Sequence, residues 1–274
     1  MRFAAKYLRK HVLPMAVESG GNGIRTLGLA VAGTLAFLLA WWVGGTFVLD
    51  RPGYRQFSGF LPVPALAALG QLLVSLDFWH SVAASLRRIG TGIGLAFCVG
   101  LPAGLLLGHF RPLRSLAYPP IQFLRMVSPL SWMPIALLLF ATFESAINFL
   151  ITMTTIWPIL MNTMLGVSRV NRQWIDMARI EGASEAQVLG LVILPASVPY
   201  ILTSLRLALG VAWIVLVRIE FLGISSGLGY LINDARDTME YDRLMAIVLA
   251  IGLIGLCLDS AIQGVRRVCR WTWQ

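Results

Sequence analysis

Six long apolar stretches, each about as long as a membrane is thick, dominate this chain. The first, LGLAVAGTLAFLLAWWVGGTFV at 27–48, contains no charged residue. A helix rises ~1.5 Å per residue, so ~20 apolar residues cross the ~30 Å hydrocarbon core of a bilayer. The stretches lack the alternating pattern of barrel strands, and we therefore predict an all-α membrane protein with six transmembrane helices. The predicted spans lie near 27–48, 89–108, 127–143, 146–166, 198–217 and 244–263.

Composition supports a membrane location and argues against a soluble fold. Hydrophobic residues make up 57% of the chain and charged residues 13%, whereas soluble proteins average about half and about a quarter. The first apolar stretch has full spanning length and no small-residue cleavage site behind it. We therefore expect a retained helix and not a signal peptide.

Lysine and arginine are distributed unevenly between the two sides of the predicted spans. If the N-terminus is cytoplasmic, the inside segments hold most of the 22 basic residues, and the outside segments balance theirs with acids such as Asp234. Both termini are therefore predicted to be cytoplasmic. The net charge of +9 follows from this bias and gives no support to nucleic-acid binding. The predicted organisation is a cytoplasmic segment 1–26, a transmembrane domain 27–263 with a loop at 167–197, and a cytoplasmic tail 264–274.

Side chains suited to catalysis or metal binding form no recognisable pattern. The chain has no G-x-x-x-x-G-K-[ST] phosphate loop, no G-x-S-x-G elbow and no H-E-x-x-H zinc motif. Its three cysteines and three histidines are too scattered for a disulfide framework or a metal cluster. We predict no catalytic residue, no metal and no cofactor, so if the protein moves a solute uphill, another subunit must supply the energy. The scattered residues are Cys98, Cys257, Cys269, His11, His80 and His109.

Glycines recur through the second predicted span, GTGIGLAFCVGLPAGLLLG at 90–108. A spacing of small residues four positions apart lets the backbones of two membrane helices approach closely. The stripe predicts a packing face and carries little information about function. Its glycines are Gly90, Gly92, Gly94, Gly100, Gly104 and Gly108.

The segment between the fourth and fifth predicted spans, 167–197, is polar yet organised. In RQWIDMARIEGASEAQVLGLVI, Trp174, Met177 and Ala178 fall on one face of a helix. Gly182 is placed to cap that helix or act as a hinge, because glycine adopts the left-handed conformation at helix C-termini. We predict a short helix that ends near Gly182.

A second short helix is predicted to follow directly. Ser184 is positioned as its N-cap, Pro195 is predicted to end it, and Pro199 falls in the first turn of the next span. A plain connector would not require this organisation, so we interpret the loop as a docking surface for a cytosolic partner. The alternative is a connector that folds back on the membrane.

The segment DMARIEGASEAQVLGLVILPASVPYILTSLRLALGVAW, residues 176–213, resembles the EAA loop of membrane subunits of bacterial ABC importers. Ala178 matches its alanine patch, Gly182 its glycine and Leu194–Pro195 its closing Leu-Pro. FLPVP, SLRRIGTGIGLAFCVGLPAGLLLG, FLRMVSPLSWMPI and IWPILMNTMLGV resemble further segments of the same proteins, in the expected order. The branch that the chain resembles is that of the nitrate, sulfonate, taurine and bicarbonate permeases.

The resemblance implies the type I ABC importer permease fold and a transport subunit that is not itself an enzyme. It implies a homodimer of this chain, two cytosolic ATPase subunits that bind ATP and Mg, and a periplasmic or lipid-anchored substrate-binding protein, all at the bacterial inner membrane. The implied cargo is a small oxyanion of the nitrate, sulfonate/taurine or bicarbonate class. The residues implied to couple the loop to the ATPase are Ala178, Glu181, Gly182, Ala183 and Ser184.

Two charged residues near the end of the fifth predicted span stand out against this family. Where relatives carry Ala-Ala-Glu, this chain has VRIEF, so Arg218 replaces a small residue near Glu220. A charge at that depth needs a partner or a wet cavity, and ~200° of helix separates the two side chains. We predict that Arg218 and Glu220 lie along an anion pathway. The alternatives are a snorkelling arginine or a structural pair of Arg218 with Glu220 or an aspartate.

Three further residues are predicted to line the pathway. Trp132 and Trp157 lie beside Pro134 and Pro158, and a proline frees a backbone carbonyl and kinks its helix. For both tryptophans, packing within the helix bundle is the alternative. Arg125 matches an arginine found in relatives and is predicted to serve an inner gate or to anchor the loop.

Two other functions remain open at this stage. A membrane scaffold or enzyme without a nucleotide-driven partner would need an intramembrane catalytic pair, for which the sequence offers no pattern. The same importer architecture could instead carry an amino acid or another small organic solute.

Overall fold

The computed structural model describes residues 23–49, 51, 53–223 and 225–271, and every regular element in these ranges is helical. The predicted cytoplasmic segment 1–26 lies almost entirely outside the described residues. Five described helices are long and apolar enough to cross a membrane, or six if one bent pair counts as a single span. The predicted all-α membrane fold is therefore confirmed. The chain forms two compact units, divided between Leu66 and Ala67.

The first unit contains helix α1, Gly23–Leu49, and a 3₁₀ turn, Arg55–Phe60. None of the apolar window Val31–Leu49 is buried, as suits side chains for which lipid is as favourable as a protein interior. The indole N–H of Trp41 donates a hydrogen bond to the Phe60 carbonyl at 3.0 Å, which ties the turn back to α1. Helix α2, Pro62–Val74, then starts with a proline, whose missing N–H costs nothing at the first helical position.

Three long helices form the centre of the second unit. They are α3, Leu76–His109, α6, Phe143–Ser168, and α9, Leu194–Gly223. Isoleucine, leucine and alanine dominate the buried cluster between them. Helix α3 begins well before the predicted start of the second span at residue 89, whereas the fourth and fifth predicted spans lie within α6 and α9.

Two further helices of the second unit follow α9 in the chain. Helix α10, Leu228–Asp237, is too short to span a bilayer, and α11, Tyr241–Trp271, contains the sixth predicted span. Phe78 of α3, Leu228 of α10 and Ile247 of α11 belong to one buried cluster. The short helix is therefore packed into the apolar core of this unit and does not extend away from it.

The predicted glycine stripe forms the contact between α3 and α6. A Cβ at Gly104 would lie 2.8 Å from the carbonyl oxygen of Leu160, which is closer than carbon and oxygen tolerate. Only a residue without a side chain allows the two backbones to approach this far. The interface glycines are Gly92, Gly100, Gly104 and Gly108, whereas Gly90 and Gly94 have open space around them in this chain.

The third predicted span, 127–143, is not one straight helix. Helix α4, Arg111–Met126, is followed by a 3₁₀ turn, Pro129–Trp132, and by helix α5, Met133–Leu139, and the two halves are bent by 89°. A residue before a proline avoids the helical region, and Ser128 before Pro129 is extended, with ψ 131°. The prediction is corrected to a bent helix pair that begins in α4.

Pro195 does not end a helix, contrary to the prediction from sequence. After α7, Arg172–Ile180, the short helix α8, Glu185–Gln187, continues through a π-turn, Val188–Ile193, directly into α9. The Leu194 N–H bonds to the Leu189 carbonyl, so the chain is wound more loosely before the proline. The looser turn relieves the clash between the proline ring and the preceding turn. Pro199 consequently lies inside α9 and not in a first turn.

Candidate functional site

An open cleft lies between the C-terminal end of α4, the 3₁₀ turn that follows it and the middle of α6. Its volume is about 480 Å³, and Leu207 of α9 lies on its wall. The wall also contains Arg125, Trp132 and Trp157, three of the five residues predicted to line a pathway. We name this feature the Arg125 cleft.

Local breaks in the helices bring the two tryptophans to the cleft. Trp132 ends the 3₁₀ turn that starts at Pro129, and Trp157 directly precedes Pro158 in α6. The side-chain amide of Asn162 donates to the Pro158 carbonyl at 2.8 Å, which adds a polar contact in the part of α6 that a proline weakens. Both rings are half-buried, so each packs against the bundle and also lines the cleft.

Arg125 is the charged residue of the cleft wall. It lies in the last turn of α4, where the helix dipole favours a cation, and it is exposed. Arg125 forms no ion pair with any residue that the structure describes. A free guanidinium offers five N–H donors in a planar fork. The cleft is thus suited to bind an anion.

Glu220, which was predicted to lie along the pathway, is fully buried in a cluster of polar side chains. Arg88 Nη1 lies 2.7 Å from Glu220 Oε1, and Arg88 Nη2 lies 2.7 Å from Glu144 Oε1. The Ser85 hydroxyl donates to the Glu220 carboxylate at 2.8 Å, and the Ser226 hydroxyl accepts from Arg88 Nη2 at 2.8 Å. We name these five residues the Glu220 cluster.

The Glu220 cluster holds the start of α10 against α3 and α9. The Glu220 carboxylate accepts the Gly229 N–H at 3.0 Å, and the Ser85 hydroxyl accepts the Leu228 N–H at 3.0 Å. First-turn amides of a helix have no intrahelical partner, so these bonds cap α10. Gly227 precedes them with φ +107°, a conformation that side chains rarely adopt.

The role of Arg88 was missed by the sequence reasoning, which placed this residue outside the membrane beside a span starting at 89. Arg88 is 2% exposed and lies inside the 34-residue helix α3. One signal was available, because a buried acid such as Glu220 needs a cation or a wet cavity. Its partner lies 132 positions away in sequence, and no local pattern could select it.

Arg218 lies away from the Glu220 cluster, as a separation of ~200° around the helix predicts. It is exposed and takes part in no ion pair among the described residues. The alternative of an Arg218–Glu220 pair is wrong, because Glu220 pairs with Arg88. Neither Arg218 nor Glu220 lines the Arg125 cleft.

The 167–197 loop is built from two capped helices, as predicted. Gly182 has φ +84°, its N–H bonds to the Arg179 carbonyl at 3.0 Å, and the Ala183 N–H bonds to the Ala178 carbonyl at 3.0 Å. These bonds form the Schellman motif that ends α7. Ser184 and Gln187 then form a capping box, each side chain bonding the other residue's backbone N–H.

An apolar groove of about 650 Å³ runs along this loop. Trp174, Met177 and Ala178 line it together, on one face of α7 as predicted, and Glu181 lies at the same groove. Trp174 is 55% exposed and Met177 is 62% exposed. Large apolar side chains left in the open at one place mark an interaction surface.

An ion-pair network ties the loop to the end of α3. His109 Nε2 lies 2.9 Å from Glu185 Oε2, and Arg179 Nη2 lies 2.8 Å from Glu185 Oε1. Glu185 starts α8, where a carboxylate is favoured by the helix dipole. The apex of the loop is therefore held to a long apolar helix of the second unit.

Similarity to known proteins extends over most of the chain. Residues 100–268 match the family of binding-protein-dependent transport system inner membrane components. The bicarbonate transport system permease protein CmpB of Synechococcus elongatus is 35% identical over 276 residues, covering 92% of this chain and 97% of that protein. The taurine transport system permease protein TauC of Escherichia coli is 34% identical over 248 residues, covering 87% of this chain and 88% of that protein. The structure of a bacterial alginate ABC transporter, solved with an alginate-bound periplasmic protein, matches with a TM-score of 0.63 at 14% identity. The match covers 89% of this chain and 94% of that chain.

These matches confirm the family that the loop and the further segments resemble. The alginate transporter supports the type I importer fold, and the two relatives are named as permease proteins of transport systems. The chain therefore belongs to the family of binding-protein-dependent transport system inner membrane components, and it is a multi-pass permease subunit of a bacterial ABC importer in the inner membrane, not an enzyme.

Proposed function

We propose that the Arg125 cleft is part of the pathway by which this permease imports a small oxyanion of the nitrate, sulfonate/taurine or bicarbonate class. The observation that carries the proposal is the free, exposed guanidinium of Arg125 beside two tryptophan rings in one cleft. Two similar permeases are named for bicarbonate and taurine, which supports an anionic cargo. The planar fork of a guanidinium matches the oxygens of an oxyanion better than a point charge does.

The 167–197 loop is proposed to be the EAA-type loop that couples the permease to a cytosolic ATPase. Its capped helices and its tie to α3 through His109 and Glu185 make it a body that can transmit motion. The exposed groove at Trp174 and Met177 supplies apolar surface for a partner. The proposed coupling residues are Ala178, Glu181, Gly182, Ala183 and Ser184.

The proposed assembly follows from the family and from charge. Two copies of this chain would form a homodimer with both termini cytoplasmic, joined by two ATPase subunits that bind ATP and Mg and by a periplasmic or lipid-anchored binding protein. The excess of basic residues in the predicted inside segments supports the orientation. Arg218 of each copy would add positive potential to the pathway.

In the proposed cycle, the 167–197 loops transmit the motion of the ATPase to the permease pair. ATP binding closes the ATPase dimer, and the docked loops move with it as nearly rigid bodies. The permease pair then switches from an inward-open to an outward-open state, and the anion passes from the binding protein into the opened cavity. Hydrolysis of ATP resets the pair, so chemistry occurs only in the ATPase.

Uptake by the complete importer in proteoliposomes tests the proposed cargo. Labelled bicarbonate, nitrate and taurine are supplied with the binding protein, and we expect ATP-dependent uptake of at least one. Arg125→Ala should lower that uptake about ten- to a hundredfold, because a charge-assisted hydrogen bond contributes ~1.5–3 kcal/mol. Arg51→Ala, at an exposed arginine outside the cleft and outside the 167–197 loop, is the matched control and should transport normally.

Two results would reject the proposed cargo or pathway. Uptake of an amino acid or another organic solute, with none of the three anions transported, would favour the same architecture with a different cargo. Equal uptake by Arg125→Ala and Arg51→Ala would remove Arg125 from the pathway.

A further inference from the structure

A second recess lies at the junction of four helix ends. These are the end of α3, the start of α4, the end of α6 and the start of α7. Its volume is about 150 Å³. Three guanidinium side chains line it, from Arg111, Arg114 and Arg172, together with His109 and Ser168. We name this feature the basic pocket.

The three arginines of the basic pocket form no ion pair with the described residues. His109 Nε2, also at the pocket, is already engaged by Glu185 at 2.9 Å. Three like charges around one small recess repel each other, and an anion between them would relieve that repulsion.

Two helix N-termini also meet at the basic pocket. Arg111 is the first residue of the 16-residue helix α4, and Arg172 is the first residue of the 9-residue helix α7. A helix N-terminus carries partial positive charge and favours acidic residues in its first turn, yet neither first turn contains one. Phe110, the N-cap of α4, supplies no side-chain cap, whereas Asn171 caps α7 by accepting the Gln173 N–H at 3.0 Å. The uncapped start of α4 is therefore the helix end that an anion would complement.

We propose that the basic pocket binds a phosphate-type oxyanion. A volume of about 150 Å³ holds about five water molecules at ~30 Å³ each, which is room for one phosphate group and too little for a folded protein segment. The guanidinium forks provide the donors that a tetrahedral oxyanion needs, and the uncapped N-terminus of α4 adds partial positive charge. The phosphate can belong to an anionic lipid headgroup or to a soluble phosphate.

Binding in the basic pocket would fix the 167–197 loop against the long helices. Arg172 belongs to the first helix of that loop, whereas Arg111 and Arg114 belong to α4 and Ser168 ends α6. An anion that contacts all of them bridges the loop and the apolar helices. The Arg125 cleft shares none of these residues.

Thermal unfolding of the full-length permease in lipid nanodiscs tests the proposal. One arm compares phosphatidylcholine nanodiscs with nanodiscs that also contain phosphatidylglycerol, and a second arm adds inorganic phosphate to pure phosphatidylcholine nanodiscs. We expect the unfolding midpoint to rise by several degrees in one arm, because a ligand of the native state stabilises it. A rise with phosphatidylglycerol alone identifies a lipid phosphate, and a rise with inorganic phosphate identifies a soluble one.

The double variant Arg111→Gln/Arg172→Gln should lose this rise, while the control Arg51→Gln, an exposed arginine away from the pocket, keeps it. Without either anion, the double variant should be at least as stable as the parent chain, because repulsion between the arginines has been removed. The proposal is overturned if neither anion separates the double variant from the control. It is also overturned if the double variant is less stable without anion, which would make the arginines structural. If the double variant and the control differ without the ATPase but no longer differ once it is added, Arg111 and Arg172 bind a protein partner instead.

Discussion

Arg88 is one of two buried charged residues among those that the structure describes. Its guanidinium is 2% exposed and lies between Glu220, which is fully buried, and Glu144, which is partly exposed. A buried ion pair is a weak contributor to stability as a whole, but the loss of one partner leaves an uncompensated buried charge. The contribution of Arg88 is therefore best measured by its removal.

Arg88→Ala should destabilise the permease by about 3–5 kcal/mol, because Glu220 would stay buried without a cation. The helix α10 would lose a fixed start as well, since Glu220 and Ser85 cap its first turn. Size-exclusion chromatography of the detergent-extracted protein after graded heating measures the effect. Arg87→Ala, at the exposed neighbouring arginine, is the control, and identical heating curves for the two variants would contradict this account.

Arg218 presents the opposite situation, a guanidinium without a described partner on an exposed part of α9. If it faces a second copy of the chain across the pathway, Arg218→Ala should slow anion uptake while assembly and basal ATP hydrolysis stay nearly unchanged. Arg218→Lys should restore part of the rate, because the charge returns without the planar fork. Transport by Arg218→Ala at the parental rate, or loss of assembly before loss of transport, would rule out this role.

Among the elements, the 167–197 loop combines a rigid local structure with an exposed apolar face. Gly182 is the point at which α7 ends, with φ +84° and no atom within 4 Å of the position of a Cβ. Aspartate tolerates this backbone conformation better than most residues. Substitution of Gly182 by aspartate therefore tests docking at the loop surface more than it tests folding.

Gly182→Asp should leave the permease folded and inserted but disrupt ATPase docking or transport, because a side chain at the apex would hold the loop out of its partner's cleft. Co-purification of the ATPase and substrate-stimulated ATP hydrolysis measure docking and coupling, and chromatography of the permease measures folding. Full stimulation and uptake in this variant would remove the loop from the coupling role.

The packing of α3 on α6 is the second test at the scale of elements. Gly104→Val places a Cβ where the Leu160 carbonyl oxygen would be 2.8 Å away, so the two helices must separate. Overpacking of this kind costs about 1–3 kcal/mol. Gly94→Val, one of two stripe glycines with open space around them, should leave the unfolding midpoint nearly unchanged, and equal destabilisation by both variants would show that the interface is not the cause.

For the whole molecule, the open Arg125 cleft argues that a single copy is incomplete. A second copy related by a twofold axis would close the cleft from the other side. We expect native mass spectrometry of the purified importer to show two copies of this chain with two ATPase subunits. A complex with one copy of this chain would exclude the homodimer.

The sequence by itself determined the features that depend on neighbouring residues or on the bilayer. The apolar runs predicted the membrane helices because length and hydropathy are read directly against membrane thickness. Gly182 and Ser184 predicted two helix ends correctly because caps are set by the residue at one backbone position. The glycine spacing predicted a packing face, although Gly90 and Gly94 turned out to lie off it.

Only the tertiary structure decided which distant groups meet. It paired Glu220 with Arg88 across 132 positions, gathered Arg125, Trp132 and Trp157 at one cleft, and continued the helix through Pro195. Burial, desolvation and helix packing act on three-dimensional neighbours, so the energy of a buried charge or of a kinked helix depends on partners that sequence spacing does not specify.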